Sequence, residues 1–313
     1  MENNTADCAF FKDSQYRRVQ MFSANYAVMI LNCILCFTAT LQNVPVIMAI
    51  IRTPSLHNPS NVLLCSLAIT DLAVGVVVHP IFVAFKARLL QGDFVCPLLF
   101  AKEGLVIYTA IVSMLTLLAI SLERLIALYV HLRYKELVTI PRVIPIAIAM
   151  WFLWGLIVCA WPLGLIDIYI LSLVGIIIIV VVGVALTVAC AIIFRILRRH
   201  QAVIMDQSKL QAAKTFSRSR KSAAVILQVV ILFFVFYAPC TYATIRFNLT
   251  KDFDISQNIL WEITETVALI NASVNPLMYY WKMGSIRRAV KNLFCVSREE
   301  LFQRTTEFSM YFF

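Results

Sequence analysis

Charge is scarce in this sequence. Asp, Glu, Lys and Arg make up 14% of the 313 residues, against about 25% in an ordinary soluble domain. Glycine (8) and proline (10) are also few, which excludes a collagen-like or disordered chain. The four histidines, His57, His79, His131 and His200, are scattered, whereas a metal centre needs its ligands grouped. Nine cysteines spread over this length do not form a disulfide scaffold. No internal repeat or low-complexity tract is present, and no basic domain suited to nucleic acid. What is abundant is apolar surface: 61% of residues, more than one soluble core can cover. The composition is that of a membrane protein.

Five stretches carry no charge at all: 19–51, 104–122, 143–166, 168–194 and 222–245. Two more tolerate isolated acids, 53–85 with Asp71 and 255–281 with Glu262 and Glu265. A helix needs about 20 mostly apolar residues to cross the hydrocarbon core, so seven spans are expected. Runs such as Ile176–Val182 do not alternate, which argues against a barrel. The expected fold is all-α: an N-terminal tail (1–22), a seven-helix domain (23–281), and a short amphipathic helix 8 with its tail (282–313). The stretch from about Arg198 to Lys221 reads as the one long polar loop. The second outer loop shrinks to little more than Gly164–Asp167.

With seven spans the two chain ends face opposite sides. One side collects 19 Lys and Arg and the other 8. Positive charge stays inside, which places the N-terminus outside a multi-pass plasma-membrane protein. Asn3-Asn4-Thr5 and Asn248-Leu249-Thr250 are then candidate glycosylation sites, while Asn271-Ala272-Ser273 inside span 7 reads as a chance match. Cys8 and Cys96 are the two thiols clearly on the oxidising side; they either pair or Cys8 stays free in the tail. Cys295 closes a basic amphipathic segment after span 7, a placement that suits palmitoylation or an unmodified thiol.

Polar residues inside a membrane are expensive, and most are functional. Asp71 lies mid-span, and Asn43, Ser113, Asn271 and Asn275 could surround it. Such a cluster seats a small hard cation such as sodium or a proton, or simply joins helices by hydrogen bonds. No other cofactor is implied, and no nucleophile–base pair or metal cluster points to an enzyme. A buried acid in a bundle also fits a proton- or sodium-coupled transporter, although the repeated halves usual in carriers are absent.

The motifs, taken in order, resemble the rhodopsin-like (class A) G-protein-coupled receptors over roughly residues 25–295. They are Asn43 on helix 1, Leu67-Ala68-Ile69-Thr70-Asp71 on helix 2, Glu123-Arg124-Leu125 closing helix 3, and Trp151 or Trp154 on helix 4. Phe233-Phe234-Val235-Phe236-Tyr237-Ala238-Pro239 follows on helix 6 and Asn275-Pro276-Leu277-Met278-Tyr279 on helix 7. Departures are equally clear. Tyr237 replaces a tryptophan, Leu125 a tyrosine and Cys190 a helix-5 tyrosine; helix 5 has no proline, and the second outer loop has no cysteine. These features are loosely nearest the melanocortin and lipid-receptor branches. Leu269 stands near the retinal lysine of opsins, so a photopigment is not expected.

The resemblance implies an extracellular small-molecule or peptide ligand and a heterotrimeric G protein, coupled through Glu123, Arg124 and Tyr279. Ligand contacts are expected at Glu103, Val106, Tyr237 and Glu265. Helix 3 reads Val106-Ile107 where amine receptors carry an aspartate, which leaves Glu103, Glu262 and Glu265 as the acids able to draw a cationic amine or peptide. Glu265 is the one expected in the pocket. The start of helix 6, Arg218-Ser219-Arg220-Lys221, has no carboxylate to restrain Arg124, so Glu123 is expected to be its one close restraint.

Overall fold

The computed structural model describes residues 22–130, 133–206, 210–250 and 255–294. Among them the regular structure is wholly helical. The long helices are α1 (Phe22–Arg52), α2 (Pro59–Leu90), α3 (Cys96–Tyr129), α4 (Ile140–Ala160), α5 (Ile168–Asp206), α6 (Leu210–Thr250) and α7 (Ile255–Lys282). A further helix, α8, covers residues 284–294.

Several starts are written in the local sequence. Before α2, the Asn58 side chain accepts a hydrogen bond from the Asn61 backbone N–H, with Pro59 in the first turn. Pro97 and Pro141 hold the first turns of α3 and α4. Pro80 lies inside α2, where it removes a backbone donor. The helix widens just before it, over Val74–Val78, and His79 N–H bonds Val74 O. A π-turn at a proline relieves the ring's clash with the preceding turn.

Six helices, α1 to α6, are long and apolar enough to cross a membrane. Among the described residues α7, the span expected to carry Glu262 and Glu265, falls short of that standard. Its polar side chains, including Gln257, Glu262, Glu265 and Asn271, are buried against other helices rather than turned to lipid. The outward faces elsewhere are aliphatic and aromatic, as at Ile148, Phe152, Val181 and Val235.

The ring closes because α7 packs on both α1 and α6, α5 on α6 and α3, and α2 on α1 and α3. α4 sits outside α2 and α3. Between α4 and α5 the connection is as short as expected: Gly164, at φ 74°, lets its N–H reach Trp161 O at 2.8 Å. The expected long polar loop is corrected by the structure. α5 continues to Asp206 and α6 begins at Leu210, so nearly all of 198–221 is helix. In α8, Ile286, Ala289 and Val290 pack into the bundle's main core while Arg287, Arg288 and Lys291 are exposed. Part of the apolar face expected on the inner leaflet is therefore spent on the bundle.

α1 and α2 approach closely at Gly75. A Cβ there would lie 2.6 Å from Thr40 Oγ1 and 2.9 Å from the Thr40 backbone nitrogen. The hydroxyl could rotate, but the backbone cannot. Gly75→Ala is expected to destabilise the bundle by about 1–3 kcal/mol, read as a lower thermal midpoint of the detergent-solubilised protein. An unchanged midpoint would mean that α1 slides freely on α2.

Candidate functional site

At the end of the bundle where α1 begins, five charged side chains meet out of water. Lys86 Nζ of α2 lies 2.8 Å from Glu262 Oε2 of α7 and donates to Asn25 Oδ1 of α1 at 3.0 Å. Lys102 Nζ of α3 lies 2.9 Å from Glu103 Oε1, 2.6 Å from Glu265 Oε2 and 3.7 Å from Glu262 Oε2. Trp261 Nε1 completes the group, 3.2 Å from Glu103 Oε2 and 2.9 Å from Glu265 Oε1. Both lysines are wholly buried.

Two expectations change here. Lys86 and Lys102, counted among the eight outer charges, lie inside the bundle, and the acids, Glu262 among them, do not lie open to a cationic ligand, because the chain's own lysines already face them. An uncompensated charge in this setting would cost several kcal/mol, which explains why the lysines turn inward. Glu265 does face the interior. Trp261 and Lys86 were missed by sequence reasoning. The available signals were that Glu262 and Glu265 sit three apart on one helical face, and that Lys86 follows Phe82 by one turn, with its Nζ 5.9 Å from that ring's centroid.

Beside this cluster, α3, α5, α6 and α7 enclose a cavity of about 70 Å³. Its wall is chiefly aliphatic, with Val106, Ile107, Ile176 and Ile179 on two sides and Tyr237 below. Glu265 and Trp261 reach its rim. Three of the four expected ligand residues, Val106, Tyr237 and Glu265, line this cavity; Glu103 stands behind Trp261. The Tyr237 ring stacks on Phe233, centroids 4.6 Å apart, one turn further along α6. Pro239 lies inside the same helix, where it removes a backbone bond.

Asp71 occupies the next layer. Asn275 Nδ2 donates to Asp71 Oδ2 at 3.0 Å, and a second cavity of about 10 Å³, lined by Asp71, Ser113 and Tyr237, adjoins it. That is room for about one water-sized particle. Asn43 bonds Ala272 O instead, at 3.1 Å, and so ties α1 to α7. Asn271 lies beside the Tyr237 hydroxyl. Of the expected five residues, Asn275 bonds Asp71 and Ser113 lines the same small cavity, whereas Asn43 is spent on the α1–α7 tie. The side-chain oxygens of Asn43 and Asn275 are buried without a hydrogen-bond partner, which suits a hydrated or cation-bound pocket.

At the opposite end, Arg124 Nε lies 3.4 Å from Glu123 Oε2. Glu123 is held in turn by the Tyr134 hydroxyl, which donates to Glu123 Oε1. Tyr134 lies in a single helical turn, Tyr134–Leu137, between α3 and α4, and sequence reasoning did not find it. Tyr279 is buried with its hydroxyl unpaired. On α4, Trp151 donates to Ser66 Oγ at 3.2 Å, whereas Trp154 fills the core. The Asn248 glycosylation expectation meets an obstacle: its Nδ2, the atom that would carry the sugar, donates to Ser172 Oγ and Thr244 O at 2.9 Å each. Asn3, Cys8 and Cys295 lie outside the described residues.

Seven helices in this order, a carboxylate layer in the middle and an acid–arginine pair at one end define a membrane receptor architecture. The family model for the seven-transmembrane receptors of the rhodopsin family matches residues 42–169 and 164–279. The chain belongs to that family: it is a rhodopsin-like G-protein-coupled receptor, not an enzyme, and the transporter alternative falls away. Human melanocortin receptor 3 is 28% identical over 126 residues, 37% of this chain and 37% of that receptor. Mouse G-protein coupled receptor 3 is 27% identical over 284 residues, 84% of this chain and 81% of the relative. Human 5-hydroxytryptamine receptor 1E is 35% identical over 114 residues, 36% of this chain and 30% of the relative. The match to the melanocortin receptor thus spans little more than a third of its length.

Burial, with the Glu123 carboxylate next in effect, pushes the Tyr134 phenol up to about 12. A folded-state value above the free phenol's, about 10, stabilises the fold fully below about pH 10; that contribution is lost as pH rises through about 12. The contact is therefore insensitive to pH near neutrality. Tyr134→Phe removes it and loosens Glu123 beside Arg124. A hydrogen bond of about 0.5–1.5 kcal/mol predicts a rise in ligand-free nucleotide exchange of roughly twofold to tenfold, measured on a G protein in matched membranes. An unchanged rate would show that Tyr134 does not restrain the resting state.

Proposed function

We propose that this receptor responds to a small, predominantly hydrophobic extracellular ligand seated in the cavity between α3, α5, α6 and α7. One observation carries the reading: the cavity wall is aliphatic, and its single carboxylate is already paired with Lys102. A cationic amine would have to compete with that ammonium, 2.6 Å away, for the one carboxylate in the wall. This replaces the expectation of a cationic amine or peptide. A ligand resting on Tyr237 bears on Phe233 and on the α6 helix around Pro239. It shifts the receptor's equilibrium by whatever difference in affinity it has for the two states.

Activation then frees Arg124 from Glu123 and brings it, with Tyr279, to a heterotrimeric G protein. The N-terminus faces outward on the plasma membrane. Support comes from the charge asymmetry, which sharpens once buried Lys86 and Lys102 are removed from the outer eight, leaving six against 19. Cys8 bonds Cys96: Cys96 is disulfide-bonded, the other described cysteines are free, and Cys295 belongs on the other side. Asn3 carries a glycan and Cys295 a palmitoyl chain.

A sodium ion fits the Asp71 layer, where Asp71 and Ser113 supply hard oxygen donors beside a space of about 10 Å³. It would add a positive charge that steadies the resting packing around Asp71. Replacing potassium by sodium is expected to lower ligand-free nucleotide exchange in the wild type but not in Asp71→Asn. Equal sodium sensitivity in both would remove the cation from this layer.

Gly175 borders the ligand cavity, and a Cβ there meets nothing within 4 Å. Gly175→Leu should therefore fill the cavity without disturbing the wall. Against a panel of neutral lipids, sterols and biogenic amines, the wild type should respond to a hydrophobic member. Gly175→Leu should lose at least tenfold in potency while keeping its surface expression. Activation by an amine, with none of the hydrophobic compounds acting, would overturn the reading.

A further inference from the structure

We propose that Glu103 and Glu265 form a proton-binding site, one proton being shared between two carboxyls that lean on a single ammonium. Among the described residues each of these acids makes its ion pair with Lys102 alone. Glu262, 3.7 Å from the same ammonium, is met more closely by Lys86 at 2.8 Å. The two carboxyls also share the indole N–H of Trp261. Two acids therefore meet one base and one neutral donor, all nearly inaccessible to water. Two carboxylates so placed cannot both stay ionised cheaply, and the pair takes up and releases protons as a unit.

With one proton bound, the charges are a carboxylate, an ammonium and a neutral acid, and the site is balanced. Without it, one negative charge is left over. The proton comes from external water and returns there; no other bond changes.

The surroundings are consistent with a proton as the guest. α1 presents the neutral amide Asn25, α6 the thiol Cys240, and α2 Lys86 and His79. His79 Nδ1 lies 2.8 Å from Asn32 Oδ1, and Asn32 reaches Thr266 of α7, so the histidine stands one layer away. Glu262 borders a cavity of about 20 Å³ between α1 and α7, lined also by Asn25 and Asn258. That space has room for about one water beside the cluster.

The consequence reaches the ligand cavity, because Glu265 and Trp261 form its rim. In the protonated state the rim is neutral and suits a hydrophobic ligand. Deprotonation puts a negative charge on the rim and weakens such binding. This last step rests on the proposed ligand reading; the proton site does not.

The test is infrared difference spectroscopy of the full-length receptor in nanodiscs between about pH 5 and about pH 9, a range in which buried and paired carboxyls exchange protons. The carbonyl band of a protonated carboxyl should be stronger at the lower pH. It should shift when glutamate alone is isotopically labelled, which separates it from Asp71 without any mutation. In Glu103→Gln and in Glu265→Gln the band should be lost, since one acid then matches one ammonium; in Asp71→Asn it should persist. No titrating glutamate band in the unmutated receptor overturns the proposal, as does a band that survives both glutamine variants. The spectrum needs neither ligand nor G protein, so its failure is distinct from failure of the functional reading.

Discussion

A buried ammonium governs the outer half of this bundle. Lys102 cannot leave its carboxylates without exposing an unpaired charge to an interior that offers no water in exchange. Because its partners sit on α3 and α7, and Lys86 links α2 to the same α7, that one requirement draws three helices together. Asn25 extends the contact to α1. The tie is directional, set by the positions of the nitrogen and oxygen atoms. Van der Waals packing alone gives membrane helices no unique rotation; the polar layers supply it.

The same logic repeats down the molecule. Asn43 and the Thr38–Ser273 pair join α1 to α7, Asn275 joins α7 to α2 through Asp71, and Trp151 joins α4 to α2 through Ser66. α7 participates in most of these links, which is why it can be the most polar of the seven and still belong in the membrane. The apolar cavity lies between α3, α5, α6 and α7, where the Asn248–Ser172 bond links α6 to α5. The ion pairs described above join α2, α3 and α7, so a ligand can act on α6 without breaking one. The region that must move is the region with fewest polar ties.

Much of the architecture was legible in advance. Span number, short second loop and the placing of Asp71, Asn275 and the Glu123–Arg124 pair all follow from where charge is missing and where it persists. The failures have a common origin. Lys86 and Lys102 were counted with the loops because a lysine near a span end ordinarily reaches for water. Tyr134 was passed over because a tyrosine in a loop carries no periodic signal. The stretch 198–221 looked like a loop because polarity was read as irregularity, while its helix-forming Ala, Arg, Lys and Gln residues continue α5 and α6.

By itself, the sequence determined that this chain crosses a membrane, how many times it does so and which residues the interior must compensate. These follow from transfer costs that each residue carries wherever it goes. Only the tertiary structure decided which acid meets which base, that Glu265 is paired with Lys102 before any ligand arrives, and that an aliphatic hollow remains beside it. Those outcomes depend on the rotation of each helix about its axis. Residues far apart in the chain set that rotation jointly, and no local segment encodes it.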